Sequence, residues 1–328
     1  MAAYRGNTSL ALAKYMREIV GDQSLSEADA MTRFLALDSD RQAVFVYRHF
    51  SSELLESGKA FADVGHHQRG DSAIATLWQG DNYQGDLNLF ESRIRTVRDG
   101  SIDLLAPGGM INVGVAGGEG GGNIGIVTEQ GGDIRAFADT GFQVNQSRVI
   151  TQFGSDITVW VNNGDIDAGR GSKTALSMPE VEISTDIYGN TVRRVKGAAA
   201  GSGIQAQTYD PDGWLGPLQQ PARGTVSLLA PRGLLNLNEA GVVAGNFLVV
   251  GPITGPGGLT VLGTSQGVAA VPTSTVAGAN VSSSTAGASA MNAATDLSRL
   301  APAQDFSPKN LMPSFVSVEI LSLGNILR

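Results

Sequence analysis

The residues best suited to catalysis lie near the middle of the chain: Asp156, Asp165, Asp167, Arg170 and Lys173. Enzymes that cleave polysaccharides use paired carboxylates, and β-helical ones often add Arg or Lys on the same solvent-exposed face. These five side chains would gather only if successive turns of the chain stack in register. An Asp beside a turn glycine also bonds its own turn backbone, and the regular placement of Asp, Asn or Ser at such turns favours that structural role. A polysaccharide-active enzyme is therefore the alternative hypothesis.

The tripeptide Arg69-Gly70-Asp71, followed by Ser72, is an integrin-type recognition sequence. A tripeptide also occurs by chance. Its surroundings are polar and rich in histidine, which predicts an exposed loop, and loops of this kind carry binding functions. We take Arg69, Gly70 and Asp71 as the candidate cell-adhesion site.

The three histidines, His49, His66 and His67, lie in the first quarter of the chain together with Asp63. They are the only nitrogen ligands on which a metal site of the zinc type could be built. Adjacent histidines on an extended segment point in opposite directions, so His66 and His67 would not readily share one ion. We expect a solvated loop and no metal.

Two glycine-rich segments have the look of nucleotide-binding motifs. Residues 120–125 satisfy G-x-G-x-x-G, but a dinucleotide site needs a helix after the motif, and the sequence that follows is strand-like. Residues 169–174, GRGSKT, have the wrong Gly-to-Lys spacing for a phosphate-binding loop. We therefore expect no cofactor and no catalytic residue.

Composition excludes several classes of protein. The chain has 328 residues, a net charge of −8, 16% charged residues, 43 glycines and no cysteine. Nucleic-acid binding needs a basic face, which this balance does not provide. The absence of cysteine excludes disulfides and thiolate chemistry. The sequence also lacks an uninterrupted transmembrane segment and a signal-peptide pattern at its start.

A repeated short unit organises the middle of the chain. A glycine is followed by Asp, Asn or Ser and then by alternating apolar residues, with copies that begin at Gly100, Gly122, Gly132, Gly154 and Gly164. Alternation between turn glycines predicts short strands with one buried face. We predict a mainly β protein with a parallel β-helix over residues 85–262, in which coils stack at about 4.8 Å. A β-sandwich is the alternative.

An internal repeat supports the β-helix. Residues 224–233, GTVSLLAPRG, restate residues 100–109, GSIDLLAPGG. Repetition of a strand followed by an Ala-Pro corner is expected of a solenoid. The repeat predicts that Pro107 and Pro231 occupy equivalent corners and that Ile102 and Val226 both point inward.

The flanking segments have a different character. Residues 1–58 show helical spacing, with a capping box at Ser24 to Glu27 and a stop at Gly58, and this helical unit is expected to cap one end of the β-helix. Residues 59–84 are predicted as a connecting loop, and a β-hairpin is predicted to project near residues 180–195. Residues 263–300 are predicted to be a flexible Ala/Ser/Thr/Gly-rich linker, and residues 301–328 a C-terminal strand segment.

Three segments together resemble a known family: residues 145–148 (NQSR), residues 154–160 (GSDITVW) and residues 164–174 (GDIDAGRGSKT). They are similar to the C-terminal region of filamentous haemagglutinin family exoproteins. These are large β-helical adhesins that Gram-negative bacteria export by two-partner secretion. The resemblance extends from about residue 34 to residue 323, whereas the family's signal peptide and secretion domain have no counterpart in this sequence.

The resemblance implies a role as well as a fold. It implies a non-catalytic segment of a large secreted or surface-displayed adhesin, located outside the cell or on the bacterial surface, in which the β-helix is a stiff rod. The implied partners are a host-cell receptor or glycan and an outer-membrane transporter engaged by an N-terminal domain missing from this sequence. No nucleic acid is expected as a partner.

Overall fold

The computed structural model describes residues 2–79, 83–90, 92–114, 124–170, 180–185, 189, 191–196, 202–210, 217, 219–237, 240–255 and 258–267. The chain forms two compact units, Met1–Thr275 and Val276–Arg328, and every described residue belongs to the first. The predicted linker beyond residue 267 and the predicted strand segment at residues 301–328 lie outside the described residues.

Within the described ranges the main element is a stack of six coils, each of which contributes one short strand to each of three parallel sheets. The first three coils are β1 (Leu87–Asn88), β2 (Arg93–Arg98) and β3 (Ile102–Ala106); β4 (Met110–Asn112), β5 (Gly125–Gln130) and β6 (Ile134–Ala138); β7 (Gly141–Gln143), β8 (Arg148–Thr151) and β9 (Ile157–Val161).

The fourth coil differs from the others because it carries long insertions between its strands. It holds β10 (Asp165–Asp167), the antiparallel hairpin of β11 (Glu180–Thr185) and β12 (Thr191–Lys196), then β13 (Gly203–Ala206) and β14 (Thr225–Leu229). The last two coils are β15 (Leu235–Asn236), β16 (Val242–Ala244) and β17 (Asn246–Val250); β18 (Ile253–Thr254), β19 (Leu259–Val261) and β20 (Ser265–Gln266).

Apart from the hairpin strands β11 and β12, each strand pairs in parallel with the equivalent strand of the adjacent coil. This is the topology of a parallel β-helix and confirms the predicted fold class. Sheet A contains β1, β4, β7, β10, β15 and β18; sheet B contains β2, β5, β8, β13, β16 and β19; sheet C contains β3, β6, β9, β14, β17 and β20. The β-helix continues to Gln266, four residues beyond the predicted end. The hairpin lies at the predicted position, between β10 and β13.

The alternating apolar residues form the interior of the coils. In sheet C, Ile102, Ile134, Ile157 and Val226 lie in one continuous stack, and the last three of these are fully buried. The prediction that Ile102 and Val226 point inward is therefore confirmed. Pro107 and Pro231 both lie at the corner that follows the sheet C strand of their coil, as the repeat predicted.

The outward face of sheet C is also apolar. One stack carries a large side chain from each of the first five coils: Leu105, Phe137, Trp160, Leu229 and Val250. We call these five residues the outer ladder. A second layer must cover such a surface, because exposing it to water costs about 25 cal/mol per Å².

Helices cover the outer ladder. Among the described residues, four helices precede the β-helix: α1 (Ala2–Val20), α2 (Glu27–Leu35), α3 (Ser39–Val64) and α4 (Gln68–Leu77). Phe50, Leu54 and Ala73 of α3 and α4 form one buried cluster with the outer ladder. The helical unit was expected to cap an end of the β-helix, but α3 and α4 instead lie along its side. The apolar ladder on sheet C is the physical reason.

The predicted end of the helical unit at Gly58 is wrong, and so is the connecting loop predicted over residues 59–84. Helix α3 continues through Gly58 to Val64 and ends at Gly65, which adopts the left-handed conformation (φ 68°) that favours glycine at a helix end. Gly58 serves close packing, since a Cβ at this position would lie 2.6 Å from a methyl carbon of Leu229. A glycine in the sequence can mark either the end of a helix or a close contact, and the residue type alone does not distinguish the two.

Helices α1, α2 and the start of α3 form a small hydrophobic core of their own. This core contains Leu12, Met16, Phe34 and Phe45. Helix α2 is capped by Ser26, whose hydroxyl accepts the N–H of Asp29 at 3.1 Å and donates to its carboxylate. The cap predicted at Ser24 is therefore two residues too early.

Candidate functional site

The candidate adhesion tripeptide lies in the first turn of α4, packed between α3 and the β-helix. This corrects the expectation of an exposed loop. The signal for a helix was present in the sequence, because Ala73, Ile74 and Leu77 recur at helical spacing and pack against the outer-ladder cluster.

Arg69 is bound by an acid from the neighbouring helix. Its Nε and Nη2 atoms donate to the two carboxylate oxygens of Glu53, at 2.7 and 2.8 Å. Glu53 is only 2% exposed, whereas the Arg69 side chain keeps 39% of its surface in solvent. A bidentate pair of this kind fixes both position and orientation, so it locks α4 against α3.

Gly70 is buried at the contact between α4 and the β-helix. A Cβ at this position would lie 2.7 Å from Cη2 of Trp160, the central residue of the outer ladder. Only glycine lets the helix backbone approach the indole ring this closely. The glycine of the tripeptide therefore has a packing role.

Asp71 reaches across to the β-helix. Its Oδ1 accepts from Nη2 of Arg232 at 2.9 Å, while Nη1 of Arg232 donates to Oδ1 of Asn162 at 2.8 Å. The first contact joins α4 to the corner that follows β14, and the second joins that corner to the coil below. All three tripeptide residues thus hold α4 in place, a role that sequence reasoning missed along with Glu53 and Arg232.

The candidate catalytic acids occupy different corners of the coils. Asp156 precedes β9 in sheet C, and Asp165 and Asp167 lie on β10 in sheet A. The coil stacking does not gather them. Asp156 lies one residue before Ile157, which pairs with Ile134 and Val226, so its neighbours in the stack are Asp133 and Thr225. Asp165 is in register with Gly141. Arg170 is exposed, and Lys173 lies outside the described residues.

Corner residues with a short polar side chain share one task. The side-chain oxygen accepts the backbone N–H of the residue in the next coil: Ser101 from Asp133 (3.1 Å), Asp133 from Asp156 (3.1 Å), Asp156 from Thr225 (2.7 Å) and Asn246 from Thr264 (3.0 Å). Asp86 and Asp165 do the same in sheet A, for Met110 and Leu234. In the described coils, the recurring Asp, Asn or Ser of the sequence unit therefore accepts a hydrogen bond that links one coil to the next.

Asp167 is engaged in its own turn. Its Oδ1 accepts the N–H of Gly169 at 2.8 Å, and its Oδ2 accepts from the amide of Asn236 at 3.4 Å. Asp156 differs from the rest in its electrostatics. Burial raises the pKa of Asp156 above its ordinary value, although the N–H of Thr225 acts in the opposite direction. The neighbouring carboxylate of Asp133 in the same stack also raises the pKa of Asp156, and each of the two acids accepts a backbone N–H from the next coil.

The expectation that the histidines lie in a solvated loop is correct only for His66, because His49 lies on α3 and His67 begins α4. In the part of the chain that the structure describes, no group of three His, Asp or Glu side chains could hold an ion. His49 lies on α3 beside Glu53, with 3.9 Å between Nε2 and Oε1, and His67 stacks on Phe61 at the start of α4. His66 is exposed. The two half-buried rings, His49 and His67, therefore each lie near one of the contacts that hold α4.

Neither glycine-rich segment forms a nucleotide site in its described part. Gly125 opens strand β5, so a strand follows the G-x-G-x-x-G motif where a dinucleotide site needs a helix. Residues 120–123 and 171–174 lie outside the described residues. A shallow groove of about 460 Å³ lies elsewhere, where Phe61 and Ala62 of α3 overhang Leu248 and Val250.

A parallel β-helix with a helical layer on one sheet is thus the class of protein that the fold defines. Residues 154–270 match the family described as "Filamentous haemagglutinin family outer membrane protein". The match covers β9 to the end of the described β-helix and confirms the predicted resemblance. The description agrees with the predicted location outside the cell or on the bacterial surface.

Two further comparisons give no relatives. Neither the curated proteins nor the solved structures contain a match to this chain. Among the described helices, none is both long and apolar enough to cross a membrane.

Proposed function

We propose that this chain is a non-catalytic segment of a haemagglutinin-like adhesin, secreted or displayed on the cell surface, in which the β-helix is a stiff spacer for attachment to cells or surfaces. The proposal draws on the family match over residues 154–270 and on the continuous stacking of the coils. Each coil adds one strand spacing of about 4.8 Å to the length, so a stack converts sequence into distance.

The observation that carries the non-catalytic part is the use of the corner acids. Asp133, Asp156 and Asp165 each give a side-chain oxygen to the backbone of the next coil. A carboxylate that acts as general acid or nucleophile must instead face a substrate. These three corner acids bond to the adjacent coil, which suits a structural element.

The proposed partners follow from the family and stay predictions: a host-cell receptor or glycan, and an outer-membrane transporter for export by two-partner secretion. An adhesive role for the tripeptide also stays a prediction. In the folded chain its charged groups are occupied by Glu53 and Arg232.

The test is a binding measurement with the purified full chain. We expect saturable binding to host cells or to immobilised glycans. Asp71→Glu keeps the charge that Arg232 requires but changes the tripeptide, so binding should fall only if the tripeptide is recognised. A folded preparation that binds no cell type and no glycan would contradict the adhesive function.

The enzymatic alternative is tested on the same preparation. The chain is incubated with acidic and neutral polysaccharides, with and without calcium, and new reducing or unsaturated ends are measured. Turnover that is abolished by Asp165→Asn or Asp167→Asn would replace the adhesin proposal with a polysaccharide-active enzyme. No turnover is expected.

A further inference from the structure

Two ion pairs hold α4, and each has a histidine beside it. The first pair is Glu53–Arg69, between α3 and α4, and His49 lies 3.9 Å from the Glu53 carboxylate. The second pair is Asp71–Arg232, between α4 and the β-helix, and His67 lies four residues before Asp71 at the start of the same helix.

The surroundings of His49 oppose its protonation. Its ring stacks on Phe45 of the same helix, and its Nε2 lies 3.0 Å from the hydroxyl of Thr8 on α1. Burial lowers the pKa of His49 below its ordinary value; Glu53 attracts the proton, whereas Arg69 repels it. A protonated His49 therefore competes with Arg69 for the same carboxylate and repels that arginine.

His67 stands in the same relation to the second pair. Burial lowers the pKa of His67, the attraction of Asp71 acts against this, and Arg232 and His66 lower it further. Its Nδ1 is buried and has no hydrogen-bond partner in the described structure. A protonated His67 would therefore be a second cation that Asp71 attracts and Arg232 repels.

Several buried polar atoms beneath the helical layer lack a hydrogen-bond partner in the described residues. Ser57 Oγ, Trp78 Nε1 and Trp160 Nε1 are buried at this interface without a partner in the described residues. A buried donor left unpaired costs about 1–3 kcal/mol. These unpaired atoms reduce the free energy that holds the layer on sheet C, and a helix packed on a sheet can open locally while the coils stay folded. The β-helix has unpaired buried atoms of its own, Thr128 Oγ1 and Ser147 Oγ.

We propose that α4 is an acid-sensitive cover on sheet C, which mild acid releases from the β-helix by protonating His49 and His67 beside its two ion pairs. Release exposes the outer ladder and frees Arg69 and Asp71. A histidine whose pKa is lowered by folding stabilises the folded state above its ordinary pKa, and that stability is lost as the pH falls below about 6.5. Ordinary carboxylates remain ionised down to about pH 5, so the histidines act alone in that window.

Hydrogen exchange of the full chain tests the release directly. Protection is measured at pH 7.5 and pH 5.5 and corrected for the intrinsic rates. We expect amides of Gln68–Leu77 to lose protection several-fold at pH 5.5, while β14 and β17 keep theirs. Equal protection at both pH values, or an equal loss in helix and strands, would overturn the proposal.

Variants then assign the effect to the two histidines. In a Trp214→Phe background, acrylamide quenching reports on Trp78 and Trp160, which both lie under the cover. The wild-type protein and the matched control His66→Gln, which changes the exposed neighbour, should become more quenched at pH 5.5. His49→Gln with His67→Gln should remove this pH dependence, and each single change should halve it roughly. A double variant with the wild-type pH dependence would overturn the proposal. If the double variant does not fold, the single variants and the exchange measurement decide it.

Discussion

The corners of the β-helix and the contacts of α4 use charged residues in two different ways. At the corners, Asp133 and Asp156 bond to the backbone of the next coil, and Ser101 and Asn246 do the same in their places. In the helical layer, Arg69 needs Glu53 and Asp71 needs Arg232. A corner contact with backbone depends on one side chain and repeats along the stack, whereas a contact between two side chains depends on both.

The core shared by all coils gives the largest expected effect. Ile157→Asp places a carboxylate in a stack with Ile134 and Val226, all fully buried. A buried unpaired charge costs several kcal/mol, so cooperative melting should be lost. The control Ile157→Val should cost only about 1 kcal/mol. An unchanged melting temperature in Ile157→Asp would show that this residue is not in the core.

Backbone contacts between coils come next. A Cβ on Gly224 would lie 1.9 Å from the carbonyl oxygen of Ser155, so Gly224→Ala must push two coils apart. We expect a loss of about 3 kcal/mol, by analogy with overpacking of a tight core. Gly141→Ala is the control, because its Cβ would meet its neighbours at 3.5 Å or more. Chemical denaturation measures both, and equal losses would contradict the close-contact explanation.

A side-chain pair of the helical layer should have a smaller effect. Glu53→Gln removes the charge that binds Arg69 and should destabilise the layer by about 2 kcal/mol, less than a fully buried pair because Arg69 is partly solvated. Glu56→Gln breaks the exposed pair with Lys59 and should cost less than about 0.5 kcal/mol. Far-UV circular dichroism during urea unfolding distinguishes the two, and similar losses would rule out a special role for Glu53.

The smallest effect on stability is expected at a corner acid, and it is a gain where the other variants show a loss. Folding raises the pKa of Asp156, so the folded state holds this proton more tightly, and its stability falls as the pH rises through the ordinary value. Asp156→Asn keeps a side-chain oxygen that can accept the N–H of Thr225. Asn246 shows that an asparagine can fill this role, because its Oδ1 accepts the N–H of Thr264 in the same stack. We expect a gain of up to about 0.5 kcal/mol at pH 7.

Thermal melting at two pH values checks the sign. The difference between Asp156→Asn and the wild-type protein should shrink at about pH 3.5, where the wild-type carboxyl is largely protonated. A clear loss of stability in the variant at pH 7 would mean that the charge of Asp156, and not its hydrogen bond, holds the coils together.

The same distinction explains what the sequence predicted. The β-helix, its Ala-Pro corners and the hairpin follow from local rules that repeat, namely alternation of apolar residues and glycine at each corner. The structural role of Asp at the corners was also favoured from its regular placement. The sequence did not predict that this Asp bonds to the backbone of the adjacent coil. That partner depends on the register between coils, which is set by how the coils stack and not by the local sequence.

The helical layer could not be placed from the sequence for a physical reason. Gly58 and Gly70 look like a helix stop and a loop residue, yet each is a point of close approach to the β-helix, at Leu229 and Trp160. The sequence does not distinguish a glycine that ends a helix from one that lets a helix pack. The same ambiguity turned the tripeptide from an expected exposed loop into a packed helix turn.

Helix α3 changes how the stack should behave under load and on heating. In a simple solenoid each coil touches only its neighbours, so the ends fray independently. Helix α3 instead contacts the second coil through Phe50 and Phe137, the fourth through Gly58 and Leu229, and the sixth through a hydrogen bond from Gln266 to the Lys59 carbonyl oxygen. Helix α3 therefore bridges several coils. The last coil cannot separate from the stack without disturbing a helix that also contacts a coil four positions earlier.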